Sequence, residues 1–169
     1  INLCDEIIVE NIDDDKIIVE CDKDIGCSME KNLAYKAARA FLNRAHIQGA
    51  GFKIKIVKKI PQEAGLAGGS TDAAAVLYAL NIITNSNTSK SDMINMASEI
   101  GSDVPFCLVG GCVQATGSGT QMRSIPSLSN CFLVVVKPQI SICTREAYAL
   151  FDDFDISEFK NHNNLIKSL

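Results

Sequence analysis

A glycine-rich stretch in the first half of the chain has the clearest potential for chemistry. It consists of Pro61, Gln62, Glu63, Ala64, Gly65, Leu66, Ala67, Gly68, Gly69, Ser70 and Thr71. Glycines let backbone N–H groups approach a ligand closely, and the first N–H groups of the helix that begins near Ser70 favour anions. The hydroxyls of Ser70 and Thr71 are candidate ligands for phosphate or magnesium, and Asp72 is predicted to cap the helix. This stretch therefore predicts a binding site for polyphosphate.

The glycines alone leave two interpretations open. A tight turn between a strand and a helix needs glycines even where nothing binds. The stretch also differs from two common phosphate-binding patterns, because the chain contains no G-x-x-x-x-G-K-[ST] loop and no G-x-G-x-x-G fingerprint. More specific residues are needed to decide between a ligand site and a turn.

Three motifs together resemble those of the GHMP kinases, the superfamily of galactokinase, homoserine kinase, mevalonate kinase and phosphomevalonate kinase. AGLAGGSTDAAA at 64–75 is similar to their phosphate-binding motif, GSDVPF at 101–106 to a second element, and CTREAY at 143–148 to a substrate loop. The Gly-Gly-Ser-Thr-Asp continuation resembles one branch in particular, whose acceptor is a cytidylyl alcohol in the non-mevalonate route to isoprenoid precursors. The resemblance extends from Ile1 to Tyr148.

The resemblance implies a fold and a reaction. The fold is α+β, that of the GHMP kinase N-terminal domain, which is of the ribosomal protein S5 domain 2-like type. The reaction moves the γ-phosphate of ATP to the 2-hydroxyl of the cytidylyl substrate, with Mg²⁺ neutralising the developing charge. The phosphates are expected to lie on residues 61–71.

Asp103 is the catalytic residue that the resemblance implies. A carboxylate next to the transferred group can orient the acceptor hydroxyl and accept its proton. From the residues alone, Asp103 could equally cap the turn before Pro105, because Asp is common at helix caps. The resemblance also implies substrate contacts from Thr144 and Tyr148, with Tyr148 stacking on the cytosine. The alternative for Tyr148 is an aromatic side chain on the core face of a helix.

Two positions depart from the family pattern, and two other functions stay open. Glu63 and Ala67 stand where many members have glycine, and we expect the Glu63 carboxylate to point away from the polyphosphate. One alternative function is a different small-molecule kinase of the superfamily, such as a homoserine kinase. The other is a nucleotide-binding domain that does not catalyse a reaction.

The family pairs its aspartate with a lysine and with an Asp-Gly-Tyr-His substrate element, both expected upstream of Ile1. The lysines between 53 and 59 are not assigned that role. We expect residues 1–152 to form the nucleotide-binding domain without its first strands. Residues 153–169 are expected to begin a C-terminal GHMP domain.

Hydrophobic periodicity predicts the elements that position these residues. β-Branched runs at 6–9 and 16–19 predict a hairpin. Apolar residues at helical spacing predict helices over 32–45, from about 70 to 80, and over 89–100.

The strand predictions complete the expected fold class. Alternation at 52–56 predicts a strand whose lysines face water. Three apolar segments follow at 106–109, 111–116 and 132–136, of which the last is predicted to be a buried strand, and a turn is predicted at 117–119. The irregular order of strands and helices favours α+β over a doubly wound sheet.

Composition limits the class of protein. The chain has 169 residues, 47% of them hydrophobic, and a formal net charge of −4. A disordered chain has fewer apolar residues, and a general nucleic-acid binder needs an excess of Lys and Arg. No apolar run reaches about 18 residues, so neither a membrane span nor a membrane partner is predicted. The expected partners are the small cytidylyl substrate and ATP, and the oligomeric state is left open.

The seven cysteines contain no C-x-x-C pair, and neither histidine lies near them in sequence. A zinc site with clustered ligands is therefore not predicted. Several cysteines lie in apolar runs, where a reduced thiol behaves as a small hydrophobic residue. We expect free thiols in a reducing compartment, which is the cytoplasm of a bacterium or the plastid of a eukaryote.

Overall fold

A three-stranded sheet with helices against one of its faces forms the main layer of the protein, and a small hairpin follows it. The computed structural model describes residues 1–127, 131–139 and 144–152, with the backbone alone at 144 and 145. The elements in chain order are β1 (Glu6–Ile12), β2 (Ile17–Cys21), a 3₁₀ turn (Met29–Lys31), α1 (Leu33–Arg44), β3 (Gly51–Val57), α2 (Gly68–Ile83), α3 (Lys90–Ile100), α4 (Val104–Val109), β4 (Val113–Thr116), β5 (Gln121–Ser124) and α5 (Thr144–Asp152). The mixture of helices and strands confirms the predicted α+β class.

β3 lies between β1 and β2, so the hairpin predicted for the first two strands is wrong. β3 pairs antiparallel with β1 and parallel with β2. The short segment that joins β1 to β2, residues 13–16, crosses over the start of β3 at Gly51. A Cβ built on Gly51 would lie 1.7 Å from the carbonyl oxygen of Asp14. The short crossover is possible because Gly51 has no side chain.

β3 alternates between a buried face and a solvent face, as predicted. On the solvent face, Lys53 Nζ lies 2.7 Å from Glu20 Oε1, and Lys55 Nζ lies 3.3 Å from Glu10 Oε2. Exposed ion pairs of this kind contribute little to stability, so the strand is held mainly by its apolar face. That buried face consists of Phe52, Ile54 and Ile56.

The predicted helices are confirmed, and they supply most of the core. Asn32 caps α1 by accepting a hydrogen bond from the Ala34 N–H at 2.8 Å. Ser89 caps α3, because its Oγ accepts from the Asp92 N–H at 3.1 Å and donates to the Asp92 carboxylate at 2.7 Å. The largest fully buried side chains are Phe41, Phe52, Ile54, Leu77, Leu80, Val76, Val104 and Pro105.

The chain after α3 departs from the prediction in one place. The apolar segment at 106–109 belongs to α4, and the turn predicted at 117–119 is confirmed as part of the link between β4 and β5. The buried strand predicted at 132–136 is wrong, because its side chains are between 51% and 103% exposed. Neither sheet of the described residues includes this segment, so it has no strand partner there.

Several expectations concern the ends of the chain or its surface. The second domain expected from residue 153 lies outside the described residues, as does Cys143. The cysteines at 4, 21, 27, 107, 112 and 131 are free thiols. In the described ranges, none of the helices is long and apolar enough to cross a membrane.

Candidate active site

The glycine-rich stretch forms the loop between β3 and α2. α2 begins at Gly68, two residues before the predicted start near Ser70. The Thr71 N–H donates to the Ala67 carbonyl at 2.9 Å, and no side chain caps this end of the helix. The backbone N–H groups of residues 68–70 come before this first bond and have no acceptor within the helix. N–H groups in this position bind anions.

Glu63 and Ala67, which stand where many family members have glycine, both have a left-handed backbone conformation. φ is 50° at Glu63 and 52° at Ala67, with Gly65 at 67° between them. A residue with a Cβ is strained in this region by about 1–2 kcal/mol. The loop thus adopts a conformation that glycine favours, and strained backbone of this kind is typical of ligand-binding loops.

The loop lines a cleft of about 470 Å³, a volume in the range of small-ligand sites. All of the residues predicted to bind ATP line this cleft except Thr71. The Thr71 hydroxyl instead donates to the Ala67 carbonyl at 3.0 Å and contacts Cys107 Sγ at 3.6 Å. Asp103, from the turn before α4, lines the same cleft.

Asp103 also lines a second cavity, of about 570 Å³. It occupies the N-cap position of α4, but its side chain makes no capping hydrogen bond and is exposed. The helix-cap alternative for Asp103 is therefore wrong. Asp103 is therefore shared by the linings of the two cavities.

The second cavity is lined by the β4–β5 turn and by α5. A Cβ on Gly119 would lie 2.8 Å from the Ser102 carbonyl oxygen, so glycine lets this turn pack against the residue next to Asp103. Tyr148 lines the cavity and is 67% exposed, so the core alternative for Tyr148 is wrong. Thr144 is the first residue of α5, and its side chain lies outside the described part of the structure.

Three charged residues that sequence reasoning did not assign to the site form a buried cluster beside the loop. The Lys58 ammonium contacts Asp5 and lies 2.9 Å from Asp72 Oδ2, and the three side chains are at most 6% exposed. The predicted role of Asp72 as a helix cap is wrong, because its carboxylate faces this ammonium instead of the helix end. Lys58 and Asp72 line the cleft. An acidic residue within the alanine-rich start of a helix was one available signal, because a buried carboxylate needs a cation.

The backbone at Lys58 is held by side chains from two other segments. Its N–H donates to Asp22 Oδ1 at 2.8 Å, and its carbonyl accepts from Lys23 Nζ at 2.6 Å. Asp5 Oδ1 accepts from the N–H groups of the next two residues at 2.6 and 2.8 Å. The segment that leads into the loop is thereby fixed before the loop begins.

The three ionisable groups of the cluster have altered pKa values. Burial raises the pKa of Asp72 to about 6, against the opposing hydrogen bond from Lys58. Burial also disfavours the charged form of Asp5, but hydrogen bonds from Lys58 and from the Ile60 and Lys59 N–H groups outweigh it and lower the pKa of Asp5. The pKa of Lys58 is raised, because its bonds to Asp5 and Asp72 outweigh burial.

The raised pKa of Asp72 predicts a pH dependence of stability. Between the ordinary value of 3.8 and about 6, the folded protein holds a proton on Asp72 that the unfolded chain has lost. Stability is therefore lost as the pH rises through this window. We expect the free energy of unfolding of the wild type to fall by about 2 kcal/mol relative to Asp72→Asn between pH 4 and pH 7. Denaturant unfolding across this range measures the difference, and parallel curves for the two proteins would contradict it.

Comparison with known proteins identifies a family. The GHMP kinases N terminal domain matches residues 32–111. The chain is 40% identical over its full length to a 4-diphosphocytidyl-2-C-methyl-D-erythritol kinase of Listeria innocua, and 41% identical to one of Clostridium botulinum. It spans 57% and 60% of the length of these two relatives.

Solved structures agree with the sequence relatives. The crystal structure of a 4-(cytidine 5'-diphospho)-2C-methyl-D-erythritol kinase superposes with a TM-score of 0.59 and 35% identity, over 73% of this chain and 43% of that one. A homoserine kinase from Cytophaga hutchinsonii gives a TM-score of 0.70 at 21% identity, over 86% of this chain and 50% of that one, and so shows the shared fold alone. Residues 32–111 of the chain are therefore identified as an N-terminal domain of the GHMP kinases.

Proposed function

We propose that this chain carries the nucleotide-binding part of an ATP-dependent kinase that phosphorylates the 2-hydroxyl of 4-diphosphocytidyl-2-C-methyl-D-erythritol. The observation that carries the proposal is the position of Asp103, which lines both the cleft of the glycine-rich loop and the second cavity. A phosphoryl donor in one cavity and an alcohol in the other would meet at this carboxylate. The names of the relatives supply the chemical identity of the alcohol.

In this proposal the triphosphate of ATP lies on the N–H groups at the start of α2. Helix N-termini bind phosphate through unpaired N–H groups and the positive end of the helix dipole. Asp103 orients the acceptor hydroxyl in line with the γ-phosphate and accepts its proton. The net charge of −4 is compatible with this mode of binding, because backbone groups hold the anion without a basic surface.

The donor set also fits Mg²⁺. Within the described residues, no group of three or more His, Cys, Asp or Glu could hold a metal ion. Mg²⁺ in kinase sites needs less from the protein, because it takes one or two side-chain oxygens and completes its shell with phosphate and water. Ser70 lines the cleft, and its hydroxyl would be such a ligand. The ion supplies charge neutralisation at the transferred phosphate.

Tyr148 is assigned to the cytosine of the substrate. Stacking of a base on an aromatic ring contributes about 1–3 kcal/mol, so we expect Tyr148→Ala to raise the KM for the cytidylyl substrate about 5- to 150-fold. The KM for ATP should change little, and Tyr148→Phe should retain most of the affinity because it keeps the ring. Tyr78→Ala is the matched control, since Tyr78 is 60% exposed on α2 and lines neither cavity. Equal KM values in Tyr148→Ala and the wild type would contradict the assignment.

A substrate panel tests the proposed function as a whole. The full gene product that contains this chain is assayed for ADP release with the cytidylyl alcohol, homoserine and mevalonate. Homoserine is included because a homoserine kinase shares the fold. The proposal predicts that kcat/KM is highest for the cytidylyl alcohol by orders of magnitude. A preference for homoserine or mevalonate, or the absence of ADP release with all three, would overturn it.

A further inference from the structure

The glycine-rich loop connects the end of β3 to the start of α2, and its conformation depends on the relative position of these two ends. The chain leaves β3 after Val57 and begins α2 at Gly68. Lys58 is the first residue after β3, and Asp72 lies in the second turn of α2, so each belongs to one end. Their side chains meet at 2.9 Å between Lys58 Nζ and Asp72 Oδ2. This buried ion pair links the residue that precedes the loop to the helix that follows it.

The start of α2 lies directly against this lysine. A Cβ built on Gly68 would lie 3.3 Å from Lys58 Nζ and 3.0 Å from Ile60 Cγ2. The first turn of the helix therefore packs closely on the ammonium and on Ile60, and a Cβ at Gly68 would be crowded by both. The Lys58 ammonium therefore lies beside the residue that opens the helix.

Lys58 is itself a fixed support. Its N–H and carbonyl are bound by the side chains of Asp22 and Lys23, and its ammonium contacts Asp5 in front of β1. Asp5 binds the two N–H groups that follow Lys58 with its other oxygen. The cluster therefore joins the loop to the segments that flank β1 and β2.

Stability alone does not explain the cluster. Asp72 Oδ1 is buried and has no hydrogen-bond partner among the described residues. An unpaired buried oxygen is destabilising, and a buried ion cluster is often no more stable than apolar side chains of the same volume. The cluster lies against the first turn of α2, and this position indicates a role in ordering the start of the helix.

We propose that Lys58 is a positioning residue that, through Asp72, holds the first turn of α2 so that its N–H groups form a fixed array for a triphosphate. It is assigned no contact with the reacting atoms. The effect on ATP rests on the proposed function, whereas the ordering of the helix start does not. The two consequences are therefore measured separately.

The test uses amide hydrogen exchange on the full gene product without nucleotide, together with steady-state kinetics. Lys58→Met would leave two buried carboxylates without a cation and can fail to fold, so the principal variant is Asp72→Asn, which keeps the side-chain shape and the Lys58–Asp5 pair. We expect amides at 71–75 to exchange about tenfold faster, while those at 77–83, in the same helix, keep the wild-type rate. The KM for ATP should rise about tenfold with a smaller change in kcat.

Asp92→Asn is the matched control, because Asp92 is also an aspartate in an early turn of a helix and pairs with Arg44 at 3.4 Å. Asp92→Asn should leave the exchange rates of the amides at 71–75 unchanged. It should also leave the KM for ATP unchanged. Wild-type exchange at 71–75 in Asp72→Asn, or a uniform increase along the chain, would overturn the proposal. Faster exchange at 71–75 in a protein that does not bind ATP would support the positioning role and would refute the proposed function instead.

Discussion

Replacing Asp103 with asparagine is expected to remove catalysis and to retain the nucleotide. The variant keeps the shape of the side chain but cannot accept the proton of the acceptor hydroxyl. General base catalysis contributes about 10²- to 10⁴-fold, so kcat should fall by that range. The Kd for ATP should stay close to the wild-type value, because the proposed function assigns the phosphates to backbone N–H groups. Stopped-flow or steady-state turnover and isothermal titration with a non-hydrolysable ATP analogue measure the two effects.

Glu99→Gln provides the matched control for this variant. Glu99 is an exposed carboxylate near the end of α3, four positions before Asp103, and it lines neither the loop cleft nor the second cavity. Its turnover should equal that of the wild type. A near-normal kcat in Asp103→Asn would refute the assignment of Asp103. Loss of ATP binding in that variant would show that the carboxylate supports the nucleotide and not the proton transfer.

Gly51→Ala is expected to have the largest effect on folding. The new methyl carbon would lie 1.7 Å from the Asp14 carbonyl oxygen and 2.9 Å from Ile12 Cγ1. The contact with Ile12 can relax by a side-chain rotation, but the contact with Asp14 cannot, because it involves the backbone of the crossover. Either β3 must shift within the sheet or the crossover must move away. We expect a loss of about 3–5 kcal/mol in the free energy of unfolding, as seen for severe core disruption.

Gly101→Ala separates this steric effect from the general cost of replacing a glycine. Gly101 has an extended backbone with φ of 179°, and a Cβ there would make an ordinary contact of 3.5 Å with Val104. Denaturant unfolding should give a value near the wild type for Gly101→Ala and a strongly reduced value for Gly51→Ala. Similar values for the two variants would contradict the crossover geometry.

Local patterns predicted the helices better than they predicted the sheet. Helical spacing and caps depend on residues a few positions apart, so α1 and α3 could be located from the sequence. The pairing of β1 with β3 depends on a close backbone approach at Gly51. Hydrophobic periodicity along the sequence carries no information on such an approach. The apolar run at 132–136 has the composition of a buried strand, but composition does not supply the neighbouring strand that burial requires.

The same distinction applies to the candidate site. The glycine-rich loop is contiguous in sequence, and its conformation follows from local residues, so it could be predicted as a unit. The cluster of Lys58, Asp5 and Asp72 joins three distant segments. One signal was nevertheless present, because Phe52, Ile54 and Ile56 face the core and the alternation of the strand continues to Lys58 on the same face. A lysine on a core face requires a buried acid, and Asp72 was the candidate within the next helix.

Under the proposed function, the full gene product transfers the γ-phosphate of ATP to the 2-hydroxyl of the cytidylyl alcohol. The most direct measurement is ³¹P NMR of the product formed by the full gene product from ATP and 4-diphosphocytidyl-2-C-methyl-D-erythritol. The proposed function predicts a new phosphomonoester on the 2-hydroxyl, in amounts equal to the ADP released. A phosphate on another hydroxyl, or ADP release without a phosphorylated product, would contradict it.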